Sequence, residues 1–190
     1  MQSSDPDVRL MLAFRAGDES ALSDLYRRWA GPLLRFLERM VRERSIAEEL
    51  MQETFLRVHG ARDRYAPDAR FSTWLYRIAF NLCVNRSERQ VPREARALAE
   101  GVADELHDPQ VPDPSTALER DDVVRAVRAA IAALPGRQRM ALLLARYHEV
   151  PLAEIGTVLG IGEKAAKSLV HRAREGLRQE LAPFLEREMR

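Results

Sequence analysis

Very little in this sequence points to catalytic chemistry. Cys83 is the sole cysteine in 190 residues, which excludes an intrachain disulfide and a cysteine-rich zinc site. Neither sign of charge dominates: 30 Lys and Arg stand against 29 Asp and Glu, a net +1 with the histidines neutral. A uniformly basic coat for nucleic acid is thereby excluded, and any such binding must use local patches. No uninterrupted apolar run nears the roughly 18 residues that suggest a membrane span. The start, MQSSDPDVRLMLAFRAGDE, has no basic segment leading into an apolar one. It predicts no secretory signal, no membrane insertion and a cytoplasmic location. The histidines His59, His107, His148 and His171 are scattered, and no pair has metal-ligand spacing on a helix. No nucleophile elbow or phosphate loop occurs. The expectation is therefore no enzyme, no metal, no cofactor and no small-molecule substrate. Cys83 reads most simply as a small buried hydrophobe, and His148 as a residue at a helix end.

What is present is helical punctuation without strand alternation. Asp5-Pro6 opens a first helix with proline where its missing N–H costs nothing. Gly17-Asp18 closes it and caps a second helix to about Trp29. Gly31-Pro32 predicts another break, with a third helix carrying Leu33, Leu34, Phe36, Leu37, Met40 and Val41. Ser45-Ile46-Ala47-Glu48 has the form of a capping box for a fourth helix reaching about His59. A loop over 61–70 leads into a long fifth helix from Phe71. From Val91 to Ser115 periodic spacing stops: Pro92, Pro109, Pro112 and Pro114 occur among Glu94, Glu100, Asp104, Glu105, Asp108 and Asp113. That composition predicts an acidic, flexible linker, whether a plain tether or an occupant of a partner's cationic channel. Thr116-x-x-Glu119 offers a further capping box, and Pro135-Gly136 divides the helices that follow. The expected fold is all-α: two small helical domains, 1–90 and 116–190, joined by the linker 91–115.

The second domain carries a helix-turn-helix. Leu152, Ile155 and Leu159 share one side of a short helix, and Gly160-Ile161-Gly162 makes a tight turn. At about 100° per residue the next helix sets Ala166, Leu169, Val170, Ala173 and Leu177 on one apolar stripe. The opposite face holds Lys164, Lys167, Ser168, His171, Arg172, Arg174 and Arg178, residue types that suit a major groove and its phosphates. A solvated helix on an ordinary bundle is the plainer reading; the small-residue turn beside a nearly acid-free face favours DNA.

Two helices of the first domain carry stripes that a self-contained bundle does not need. On 46–59 the core side is Ile46, Leu50, Met51, Phe55 and Val58. The far side gathers Glu49, Gln52, Glu53 and Leu56, an apolar anchor in a polar rim, although a lone exposed leucine is ordinary on any protein. On 72–89 the helix is apolar over much of its circumference, which suits a central position. Its remaining stripe is Trp74, Arg77, Asn81 and Asn85, an aromatic plane, a guanidinium and two amides that can stack on unpaired bases and bond their edges. Burial against the core is an equally good reading of Trp74. Between Arg70 and Arg93, five arginines face the single Glu88.

Three blocks, AEELMQETFLRVH (47–59), FSTWLYRIAFNLCVNRSER (71–89) and LPGRQRMALLLARYHEVPLAEIGTVLGIGEKAAKSLVHRAREGLR (134–178), occur in this order. Together they resemble bacterial RNA polymerase sigma factors of the extracytoplasmic-function (ECF) type over nearly the whole chain except the linker. The resemblance implies that the first lobe is sigma domain two. Its Glu49, Gln52, Glu53 and Leu56 then dock on the clamp helices of the polymerase's largest subunit. Arg64, Arg70, Trp74, Arg77, Asn81, Asn85 and Arg86 capture the non-template strand of the −10 element. It implies that the second lobe is sigma domain four, in which Lys164, Lys167, Ser168, His171, Arg172 and Arg174 meet the −35 duplex while other surfaces hold the polymerase flap. An anti-sigma factor is a further implied partner, and the linker is implied to thread toward the polymerase channels.

The chain departs from the family pattern at several positions. Gly162 stands where a capping serine or threonine is usual, a tolerable exchange. Lys164-Ala165-Ala166-Lys167-Ser168-Leu169 replaces the commoner Gly-Thr-Val-Lys-Ser-Arg, so Leu169 removes one possible DNA arginine. Asn85 replaces a common aspartate. These changes bear on promoter sequence, not on class. The alternative is a stand-alone helix-turn-helix regulator with an N-terminal sensing domain, which leaves the Gln-Glu helix and the Trp74 stripe without a task.

Overall fold

The computed structural model describes the backbone of residues 5–90 and 119–188, and the side chains of 5–86 and 123–182. Among the described residues there are eight α-helices and no strand: α1 (Pro6–Arg15), α2 (Glu19–Val41), α3 (Arg44–Gly60), α4 (Phe71–Gln90), α5 (Glu119–Ala133), α6 (Gly136–Tyr147), α7 (Leu152–Leu159) and α8 (Glu163–Glu188). A 3-10 turn, Arg62–Arg64, precedes α4. No helix among the described residues is long and apolar enough to cross a membrane. The predicted linker and the Thr116 capping box lie outside the described residues.

Helices α1 to α4 close around Val8, Met11, Phe14, Leu25, Leu33, Phe36, Leu37, Val58, Phe71, Leu75 and Tyr76, all fully buried. Asp5 caps α1 through the Asp7 N–H (2.9 Å), and its other oxygen accepts from the Phe71 N–H at 3.2 Å. One carboxylate thus satisfies orphan donors at the start of two helices. Buried Asp7 accepts from Arg28 and from Trp29 Nε1 (3.0 Å), which fastens α1 to α2.

Two local expectations are corrected. Gly31-Pro32 does not break the chain: α2 runs unbroken for 23 residues with Pro32 inside it. Proline removes one ladder hydrogen bond. However, Leu25 on one side of it and Leu33, Phe36 and Leu37 on the other are buried in the same core, so burial holds both halves in one helix. The capping box at Ser45 also does not form. Glu43 is the N-cap without a side-chain bond, Ser45 Oγ donates to Glu43, and Glu48 pairs with Arg44 at 2.9 Å.

In the second lobe, α5 to α8 enclose Ile131, Leu134, Met140, Leu143, Leu144, Ile155, Val158, Ala166, Leu169, Val170 and Ala173. The turn of the helix-turn-helix is set by glycine. Gly160 sits at φ +66°, and a Cβ on Gly156 would lie 2.7 Å from the Ile161 carbonyl oxygen, which no side chain tolerates. The Ile161 N–H closes this turn onto the Gly156 carbonyl at 2.9 Å.

The lobes do not stand apart; their buried residues form one continuous cluster. Tyr76 of α4 is hydrogen-bonded to His148 Nδ1 at 2.7 Å, and the Phe36 ring lies 5.9 Å from that imidazole. Thr73 donates to Glu154 of α7, and Arg70 pairs with the same carboxylate at 3.2 Å. Arg139 of α6, 8% exposed, donates to the carbonyls of Met40, Ala132 and Leu134, joining the end of α2 to its own lobe. Arg39 lies over the Tyr147 ring, 4.4 Å from its centroid.

Candidate polymerase and nucleic-acid interface

The residues singled out in the sequence fall on three outward faces. On α3, Glu49, Gln52 and Leu56 are exposed and Glu53 is half-buried; Leu56 alone is 67% exposed. Arg57 pairs with Glu53 and Arg86 of α4 with Glu49, each at 2.9 Å. Tyr26 of α2, also exposed, lies against the Phe55 ring with centroids 4.8 Å apart. That enlarges the apolar part of this face beyond Leu56, and the sequence reading did not include Tyr26.

On α4, Arg77, Asn81 and Asn85 are exposed along one line. Trp74 completes the line half-buried, edge-on to Tyr65 at 4.9 Å and 6.0 Å from Phe71. One side of the indole thus packs on these rings and the rest stays accessible. Arg64 is exposed on the short turn before α4. The other two arginines are drawn elsewhere, Arg70 to Glu154 of the second lobe and Arg86 to Glu49 of α3.

On α8, Lys164, Lys167, Ser168, His171, Arg172 and Arg174 are all exposed, while Ala166, Leu169, Val170 and Ala173 are buried. The 3.6-residue period alone produces this division. Ser168 Oγ donates to the Lys164 carbonyl at 3.0 Å, which leaves its lone pairs facing outward.

Family models for sigma-70 region 2 and sigma-70 region 4 match residues 25–92 and 124–177, in that order. The chain is 31% identical to the ECF RNA polymerase sigma factor SigW of Bacillus subtilis, over 88% of this chain and 92% of that one. It is 37% identical to the RNA polymerase sigma factor CarQ of Myxococcus xanthus, over 89% and 94% respectively. The chain belongs to the ECF RNA polymerase sigma factors. Two solved structures share its fold. CnrH in complex with the cytosolic domain of CnrY superposes with a TM-score of 0.70 at 23% identity, covering 94% of this chain and 99% of that one. The sigma factor RpoE of Bartonella quintana, solved with the anti-sigma factor NepR, gives 0.62 at 21%, covering 84% and 97%.

For an ECF sigma factor the α3 and α4 faces fall inside the region 2 match and the α8 face inside the region 4 match. The remaining titratable groups of note are structural. Burial pushes the Cys83 thiol up to about 12, which fits a packed hydrophobe and not a nucleophile. Burial, then Arg39 and Arg35, hold His148 down at about 4. Among the described residues no group of His, Cys, Asp and Glu is placed to hold a metal ion.

The sequence reading missed the contacts between the lobes: Thr73, Tyr76, Arg139 and Glu154, and the role of His148. One signal was available. Arg139 stands beside the apolar run Met140–Leu144, where a charge survives only if several acceptors meet it.

Proposed function

We propose that this sigma factor docks on core RNA polymerase through Glu49, Gln52, Glu53 and Leu56. In this reading it holds the non-template −10 strand on Trp74, Arg77, Asn81 and Asn85, with Arg64, Arg70 and Arg86 at the margins. It meets the −35 duplex with Lys164, Lys167, Ser168, His171, Arg172 and Arg174. The observation that carries the reading is that α3 and α8 present these groups on faces the fold leaves in solvent. Strand opening needs no covalent step: a base leaving the duplex exchanges stacking on its neighbours for stacking on an aromatic face and bonds to amides. The chain acts without catalysis of its own, in the cytoplasm, as units 1–90 and 116–190 around the linker 91–115. An anti-sigma factor is its regulatory partner.

Run-off transcription with purified core polymerase on genomic fragments tests the whole reading. Within it, Arg77→Ala and Asn81→Ala should lower permanganate-detected opening more than closed-complex formation. If both variants open promoters like the parent, the α4 stripe is only a helix surface. Stable, sequence-selective duplex binding by the isolated chain would favour the stand-alone regulator instead.

A further inference from the structure

Helix α2 carries a line of arginines on a side that none of the three faces uses. At about 100° per residue, Arg35, Arg39 and Arg42 fall within about 60° of one another, roughly 140–180° round the helix from Tyr26. Arg35 and Arg42 are exposed, and Arg39 is half-buried over the Tyr147 ring. Among the described residues no carboxylate pairs with any of the three. Glu38 and Glu43, the acids beside them in sequence, turn to Arg44 and Ser45, and Arg39 donates to the Arg35 carbonyl at 2.9 Å. Their charge is felt inside the fold: burial, then Arg39 and Arg35, hold His148 at about 4. Like charges three and four residues apart on a helix repel. Arg42 also stands at the C-cap with φ +63°, where a glycine would sit without strain. The carbonyl end of α2 attracts Arg39 and Arg42, but Arg35 lies too far inside the helix for that attraction. One turn before Arg35, Gly31 is exposed, and a Cβ on it would lie 3.3 Å from an Arg35 guanidinium nitrogen. A glycine inside a helix weakens it; this one leaves the approach to Arg35 open.

We propose that Arg35, Arg39 and Arg42 form a further nucleic-acid site, a sequence-independent seat for the phosphate backbone of duplex DNA. Guanidinium forks match phosphate oxygens in geometry as well as charge. The seven residues from Arg35 to Arg42 span about 10 Å of helix. One strand of a duplex sets a phosphate about every 3.4 Å along its axis, so the stripe is long enough for about three in succession. The stripe offers no amide, and its one aromatic neighbour, Tyr147, already carries Arg39 on its face. Nothing in it reads or stacks a base, which makes it a positioning contact. A straight row of charges on a rigid helix suits a repeating backbone better than it suits an acidic peptide, whose carboxylates keep no fixed spacing. Because the stripe faces away from Tyr26, docking of α3 on core polymerase leaves it open to DNA. The inference is independent of the −10 and −35 assignments.

The test compares the full chain as parent, the double variant Arg35→Gln with Arg42→Gln, and Gly31→Glu. Gly31→Glu keeps every arginine and sets a carboxylate one turn before Arg35, a spacing that favours the helix while it occupies the guanidinium. Fluorescence anisotropy follows a labelled DNA duplex of mixed sequence over a range of salt, beside a single strand of the same length and labelled polyglutamate. Both variants should bind the duplex about three- to tenfold more weakly at low salt, and the double variant should flatten the log–log salt slope by about two. The urea midpoint of Gly31→Glu should stand at or above the parent's, which separates lost binding from lost folding. Parental affinity and salt slope in both variants overturn the site, as does a parent that binds no duplex. A loss confined to the single strand overturns the duplex as its occupant. Polyglutamate binding that falls as far as duplex binding overturns the phosphate assignment, because the stripe would then hold any polyanion.

Discussion

The seam between the lobes and the outer faces of α3 and α8 are both rich in polar side chains, and they use them in opposite ways. In the seam, Arg139 reaches three carbonyls, Glu154 holds Thr73 and Arg70, and His148 meets Tyr76. On α8, Lys164, Lys167, His171 and Arg172 project into solvent, and on α3 Leu56 does the same without any charge. A buried polar group left without a partner is costly, so the seam's geometry is dictated by the fold. Exposed charges and a lone exposed leucine add little to stability, so the outer faces are free to serve partners.

The largest expected effect lies in the seam. Arg139→Ala leaves the carbonyls of Met40, Ala132 and Leu134 without this donor and should cost about 3 kcal/mol or more of stability. Urea denaturation reads it as a lowered midpoint, and a midpoint equal to the parent's would show that the seam is not structural. The outer faces should behave conversely. Glu53→Lys with Leu56→Ala should leave the urea midpoint almost unmoved while weakening capture of core polymerase by about 2 kcal/mol, roughly thirtyfold. Undiminished capture by this double variant would remove α3 as the docking helix. Lys167→Ala should cost about 1–2 kcal/mol on a −35 duplex. Loss of preference at one base pair marks a base contact, whereas a uniform loss with a salt slope flatter by about one marks a phosphate contact. Parental affinity, selectivity and salt slope together would exclude α8 from the duplex.

The smallest effect is a pH dependence confined to the seam. Burial, Arg39 and Arg35 hold the folded His148 at about 4, below its ordinary 6.5. The unfolded chain therefore binds more protons at this site between those values, and stability falls as pH drops from about 6.5 toward 4 before levelling off. Because His148 is only half-buried, the slope is modest. It is read as the difference between parent and His148→Phe in urea midpoints across that window. Identical pH profiles would mean that the imidazole stays neutral in both states.

Legibility in the sequence followed the range of the interaction. The α8 stripe needed only the helical period, and the helix-turn-helix needed only the turn Gly160-Ile161-Gly162 between two short apolar patterns. The outward positions of Leu56 and Lys167 came from the same local count. The continuity of α2 did not, because Pro32 is a local signal for a break while the burial that overrules it is collective. The box at Ser45 failed for a different, local reason: neighbouring Glu43 and Arg44 supplied competing partners for the same side chains. Arg70 and Arg86 were read as strand contacts from local charge and the family resemblance, neither of which shows their carboxylate partners, 84 and 37 positions away in the chain.

By itself the sequence determined that the chain is helical, where most helices begin, which face of α3 and α8 is apolar, and which family the blocks belong to. Backbone propensity, capping and periodicity act within a few residues, so they can be read from order alone. Only the tertiary structure decided that the two lobes share a core, that Arg139 reaches the Met40 carbonyl across the seam, and that Glu154 stands on Arg70 and Thr73. Those pairings are chosen by packing between segments distant in the chain, where shape and the cost of an unpartnered buried group select the neighbour, and linear spacing carries no record of that selection.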